Sequence, residues 1–134
     1  MAMQTLNLSV NLEELSALFL ELLREVNFTV ILHEDLEAGF RIIGADKKRM
    51  SQLTATLFSI IGGYLPRNRI AIELTALLDD GIITATLKCS PYLDILDIEA
   101  KTYTQRENET YLKLIKIFTD RIMEKFTMRA QESP

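Results

Sequence analysis

The chain has little of the chemistry that usually announces a function. Among its 134 residues there is one cysteine, Cys89, one histidine, His33, and no tryptophan. A lone cysteine excludes an intrachain disulfide and any zinc site built on paired thiolates, and no second imidazole is there to help hold a metal. Three prolines and five glycines leave few places to break the chain, and no repeat, low-complexity tract or interdomain linker is visible. No apolar run reaches the ~18 residues of a spanning helix, and no basic-then-apolar signal opens the chain. A single cytoplasmic domain over residues 1–134, with a frayed tail at 129–134, is therefore expected. The net charge of −4 argues against a general nucleic-acid binder, whose affinity comes mostly from attraction to phosphate.

What is present is ordinary globular composition with clear patterning. A chain this long hides roughly two-thirds of its unfolded surface, so it needs neither disulfide nor metal to fold. Asp80-Gly81 stands between two apolar-rich runs and suits a two-residue type I′ turn, where both central residues need a positive φ. That turn sets the register of a hairpin over Ile70–Cys89. Leu78 faces Ile83, Ala76 faces Ala85, Leu74 faces Leu87 and Ile72 faces Cys89 on the apolar side. Thr75 opposite Thr86, and Glu73 opposite Lys88, form the polar side. A slip of one residue would exchange the two faces.

The rest of the chain follows the same two periods. Thr5–Val10 alternates as a half-buried strand, with Leu6, Leu8 and Val10 on one side. Asn11, with Glu14 three residues on, caps a helix over Leu12–Val26. Its stripe is Leu12, Leu15, Phe19, Leu22, Leu23 and Val26, and Leu18 and Leu20 widen the apolar face toward a second contact surface. Asn27–His33 alternates again with Phe28, Val30 and Leu32 inward. A loop over Glu34–Gly39, closed by Gly39 with a positive φ, leads to a strand at Phe40–Ala45. Thr104 and Glu107 open a last helix, Gln105–Met128, striped by Tyr111, Leu114, Ile115, Phe118, Ile122 and Phe126. Glu109 and Lys113 stand four apart on it in the favourable order.

These elements predict an α+β domain of order β-α-β-β-(α)-β-β-α. A single antiparallel sheet of about five strands would carry two long helices on one face, its other face polar and uncovered. This order resembles one half of the TATA-binding-protein fold and, more loosely, the helix-grip folds. The resemblance is one of element order, and no functional residue is carried over from it.

Catalytic constellations are thin. His33, Glu34 and Asp35 bring a histidine beside carboxylates, but neighbours on a strand point to opposite faces and cannot converge on one ion. Asp79 and Asp80 are explained by the turn. Gly62-Gly63 lacks the Lys and Ser/Thr of a phosphate loop. Ser51, Ser59 and Ser90 have no adjacent base. No catalytic activity, cofactor or metal is expected.

The most informative stretch runs from Lys47 to Arg69. Lys47, Lys48 and Arg49 precede an apolar segment in which Met50, Leu53, Leu57, Ile61 and Tyr64 recur at three- and four-residue steps, and Arg67 and Arg69 follow it. The spacing favours a helix over Arg49–Ile61, although the alternation of Leu53, Ala55 and Leu57 would also suit a strand. Basic residues at both ends of the greasiest stretch, in an acidic protein, fit a segment that docks on a protein partner or an anionic membrane surface. The plain alternative is a crossover helix packed on the core with its charges in water. A third reading makes the segment a lid over a cavity for a small amphiphile. A purely structural or self-associating domain is a fourth, with Leu18, Leu20, Leu112 and Ile117 as candidate contact residues. The stretch 92–103 carries no clear period.

Overall fold

The pair Asp80-Gly81 turns as its chemistry requires, with φ of +52° and +79°. From that pivot the hairpin zips in the expected register, Asp79 opposite Ile82, Leu74 opposite Leu87 and Ile72 opposite Cys89. The computed structural model describes residues 2–46, 70–91 and 105–132, with side chains through 90 in the second stretch and over 108–126 in the third. Within them the order is β1 (Ala2–Leu8), α1 (Leu12–Glu25), β2 (Thr29–Leu36), β3 (Gly39–Ala45), β4 (Ile70–Asp79), β5 (Ile82–Pro91) and α2 (Gln105–Glu132). One five-stranded sheet forms in the order β1-β5-β4-β3-β2, every pair antiparallel. The protein is thus of the α+β class. Both helices share one core with one face of the sheet.

Local chemistry explains the helix ends. Asn11 Oδ1 accepts from the Glu13 amide at 2.7 Å, taking up one of the donors that a first turn leaves open. At the other end Asn27 adopts φ +60°. The Asn27 amide donates to the Arg24 carbonyl at 3.0 Å, and that of Phe28 to Leu23 at 2.8 Å. This is the two-bond stop in which a left-handed residue closes the last turn. Asn27 therefore belongs to the helix terminus, and the strand begins at Thr29 rather than at Asn27.

The core is built by the predicted stripes. Tyr111, Leu114, Ile115, Phe118, Ile122 and Phe126 of α2 are all buried, as are Leu15, Phe19, Leu22 and Leu23 of α1. Phe19 and Phe118 meet edge to face, ring centres 5.7 Å apart. Each such side chain stabilises the fold by roughly 1.5–3 kcal/mol. Arg121 joins the helices with two contacts to Glu25, at 2.9 and 3.1 Å, and that carboxylate raises the pKa of the guanidinium. On α2 itself an i,i+4 ion pair links Lys116 to Asp120 at 2.9 Å. The helix continues to Glu132, four residues past the predicted Met128. Cys89 is fully buried, and the surrounding apolar atoms push its thiol pKa well up.

One α2 residue is poorly served. Among the described residues Thr119 Oγ1 is buried with no hydrogen-bond partner, an arrangement that costs about 1–3 kcal/mol. Thr119→Val keeps the shape and removes the orphaned oxygen. It should raise stability in urea unfolding by about 1 kcal/mol; a loss would show that the hydroxyl is satisfied in solution.

Further expectations are corrected, beginning with β1, which spans Ala2–Leu8 rather than Thr5–Val10. The hairpin of β2 and β3 has a two-residue turn at Glu37 and Ala38, not a loop from Glu34, because the polar run His33-Glu34-Asp35 is strand on an exposed edge. The positive-φ residues described are Asn27, Asp80 and Gly81; Gly39 is needed for close approach, since a Cβ there would meet the Ala76 and Leu77 backbone. Finally, the β2 register shifts between Val30 and Leu32. An extra residue of this kind reverses which side chains face the core. Leu32 accordingly packs with Ile43 on the face away from the helices, and Val30 is 41% exposed.

Candidate docking surface

The ten residues expected to form a docking surface are Lys47, Lys48, Arg49, Met50, Leu53, Leu57, Ile61, Tyr64, Arg67 and Arg69. All lie outside the described residues. The structure does describe the two points from which that segment leaves and to which it returns. The Asp46 amide donates to the Ile70 carbonyl at 3.0 Å. In return the Ile70 amide donates to Asp46 Oδ1 at 3.2 Å. Ala45 and Ala71 pair just inside this clasp. By covalent connection alone, Lys47 and Arg69 each stand one peptide bond from it.

Beside the clasp the second face of the sheet is not the bare polar surface expected from alternation. Ile43, Ala45 and Ala71 are buried there, with Ile31 and Leu32 packed against them. Glu73 and Ser90 are buried as well. The signal was present in the sequence: Ile42-Ile43 and Ile70-Ala71-Ile72 are unbroken apolar runs, the mark of a strand buried on both sides. Away from the clasp the same face opens to water, with Leu77, Thr84, Thr5 and Asn7 exposed.

Charges cross this face in a row. Glu34 on β2 stands opposite Arg41 on β3, and Glu73 on β4 stands opposite Lys88 on β5. Arg41 Nε donates to Glu73 Oε2 at 2.7 Å, while its terminal nitrogens lie 2.6 Å from Glu73 and 3.6 Å from Glu34. The Glu73 side chain is only 6% exposed. Sequence reasoning set Glu73 against Lys88 alone and missed Arg41, because the β3–β4 pairing is not legible from one hairpin.

The other candidates separate in space. His33 stands opposite Ile42 and Glu34 opposite Arg41, on opposite faces of β2. Among the described residues no three His, Cys, Asp or Glu side chains form a metal-binding group. A cleft of about 230 Å³ lies between the helices, lined by Leu18, Glu21, Arg121, Glu124 and Lys125. Four of those five carry charge; the cavity expected for an amphiphile, between sheet and helices with segment 47–69 as its lid, involves residues outside those described. The second surface expected on the helices is also revised: Leu18 is buried, and Leu20 and Ile117 pack on the core, because the sheet is wide enough to use a broad helix face. Leu112 remains exposed, and so does Met123.

Comparison with protein-family models, curated proteins and solved structures finds no match for this chain. Among the described residues, no helix is long and apolar enough to cross a membrane.

Proposed function

We propose that this protein is a non-catalytic interaction module that presents segment 47–69 to an anionic surface, on a partner protein or a membrane. The observation that supports this reading is the Asp46–Ile70 clasp. The basic flanks, Lys47-Lys48-Arg49 and Arg67 with Arg69, are joined by the chain to the two ends of this one clasp, within three residues of Asp46 on one side and of Ile70 on the other. Five cations tethered to one clasp attract an anionic surface more strongly than the same charges strung along an open chain. The apolar residues between them supply the area that such docking also needs. The acidic remainder of the chain orients the approach, since it is repelled by the surface that attracts those cations.

Charge reversal at Lys47, Lys48 and Arg49 to Glu tests the reading. Wild-type protein should sediment with phosphatidylglycerol vesicles or be retained on a polyanion resin at low salt, and not with phosphatidylcholine vesicles. The triple variant should lose retention while melting like the wild type. If neither anionic surface holds the wild type, the reading fails.

A further inference from the structure

Among the described residues, the two outer strands of the sheet, β1 and β2, have no partner on their outer sides, and the two edges are unlike. β2 is blunted: its register breaks between Val30 and Leu32, and His33, Glu34 and Asp35 are exposed along it. Breaks and charges of this kind keep an edge from pairing with another strand. β1, at the opposite edge, has neither. Its seven residues, Ala2–Leu8, carry no charged side chain and hold an unbroken register from Cys89 to Ile83 of β5.

A second apolar feature stands over that same edge. α2 packs on β1 and β5, whereas α1 packs on β2, β3 and β4. Phe118 and Arg121 mark the side of α2 turned toward α1, where they meet Phe19 and Glu25. At roughly 100° of rotation per residue, Leu112 and Met123 fall on the opposite flank, above β1. They are 48% and 42% exposed. Met3 is 55% exposed on β1 itself, on the other face of the sheet from α2.

The geometry points to β1 and this flank of α2 as a two-fold interface between two copies of the chain, their β1 strands pairing antiparallel into one continuous sheet. A two-fold axis sets a strand against its own reverse, so a charged side chain near the axis meets its own copy. β1 offers no such repulsion, and Lys116 beside the helix flank is neutralised by Asp120. An equivalent pairing of β2 would bring the carboxylates of Glu34 and Asp35 against their copies. The same symmetry lays one α2 flank beside the other, so Leu112 and Met123 of both copies are covered together. This inference is independent of the docking reading, since a dimer can form whether or not segment 47–69 binds an anionic surface.

Sedimentation equilibrium on the full chain tests it. Wild type should sediment at twice the 15.3 kDa of one chain. Thr5→Lys, at the exposed centre of β1, puts like charges beside the axis and should return the single-chain mass. Met123→Lys should do the same without touching the sheet, so a misfolded Thr5→Lys would not rescue the idea. Thr84→Lys, exposed on β5 away from the edge, should leave the dimer intact. In hydrogen exchange the β1 amides should be slower in wild type than in Met123→Lys. A wild type that stays at 15.3 kDa over a wide concentration range would overturn the interface, as would a dimer indifferent to both charge insertions.

Discussion

Replacing Gly39 with alanine is expected to lower the melting temperature by about 10 °C, which for a domain of this size corresponds to about 3 kcal/mol. A Cβ at this position would run into the Ala76 carbonyl oxygen, 2.8 Å from its carbon and 3.0 Å from Leu77 Cα. Those atoms are backbone of β4 and have no rotamer to retreat into. β3 and β4 would have to part where Gly39 opposes Leu77, and overpacking typically costs 1–3 kcal/mol and occasionally more. Gly44 provides the contrast. A Cβ there would lie 2.5 Å from one Leu23 methyl and 2.8 Å from the other, and a leucine can turn. Gly44→Ala should therefore cost less than Gly39→Ala by calorimetry. Equal effects, or an unchanged melt for Gly39→Ala, would show that the strands adjust more freely than this packing implies.

Arg41→Ala should destabilise the protein by about 2–4 kcal/mol. The argument rests on what is left behind. Glu73 would keep its buried carboxylate and lose its hydrogen bond at 2.7 Å. Stranding a buried charge costs more than the ion pair is worth, and replacing both partners with apolar groups of similar volume is often neutral or better. The figure stands below that for a fully buried pair because about a third of the Arg41 side chain is exposed, so water screens it. The double variant Arg41→Met/Glu73→Met should accordingly recover most of the loss of Arg41→Ala in denaturant titration. Were the single substitution to cost under about 0.5 kcal/mol, Glu73 would have to be better hydrated in solution than its burial suggests.

Much of the frame was legible because independent signals agreed. At the β4–β5 hairpin the turn pair and the alternation specify the same register, and a slip would be penalised on both counts. The α2 stripe has enough turns for its period to outvote local propensity. The failures have physical causes too. The edge strand β2 looks like a loop over His33-Glu34-Asp35, since an exposed edge tolerates charges that a central strand would not. Its register shift leaves no compositional trace, so simple alternation places the residues beyond Val30 on the wrong face. Gly39 advertised conformational freedom but is used for proximity to Ala76, which depends on a strand thirty-odd residues away. The Arg41–Glu73 contact was hidden for the same reason. Segment 47–69 stands out only by its basic flanks, and the Asp46–Ile70 clasp from which it leaves needs the pairing of β3 with β4, which a local reading does not supply.

The burial of Cys89 gives the molecule an internal clock. It sits on β5 opposite Ile72 on one side and Ala2 on the other, and its thiol is shielded and protonated in the native state. Alkylating reagents attack the thiolate of an accessible cysteine, and Cys89 lies in the core that the sheet shares with the helices, so labelling must wait for α2 to lift from β1 and β5. With a single thiol in the chain, the mass gained on alkylation counts openings of that helix–sheet interface. Any ligand or second copy that holds α2 down on the sheet should slow the count, and the reagent need never touch the surface where it binds.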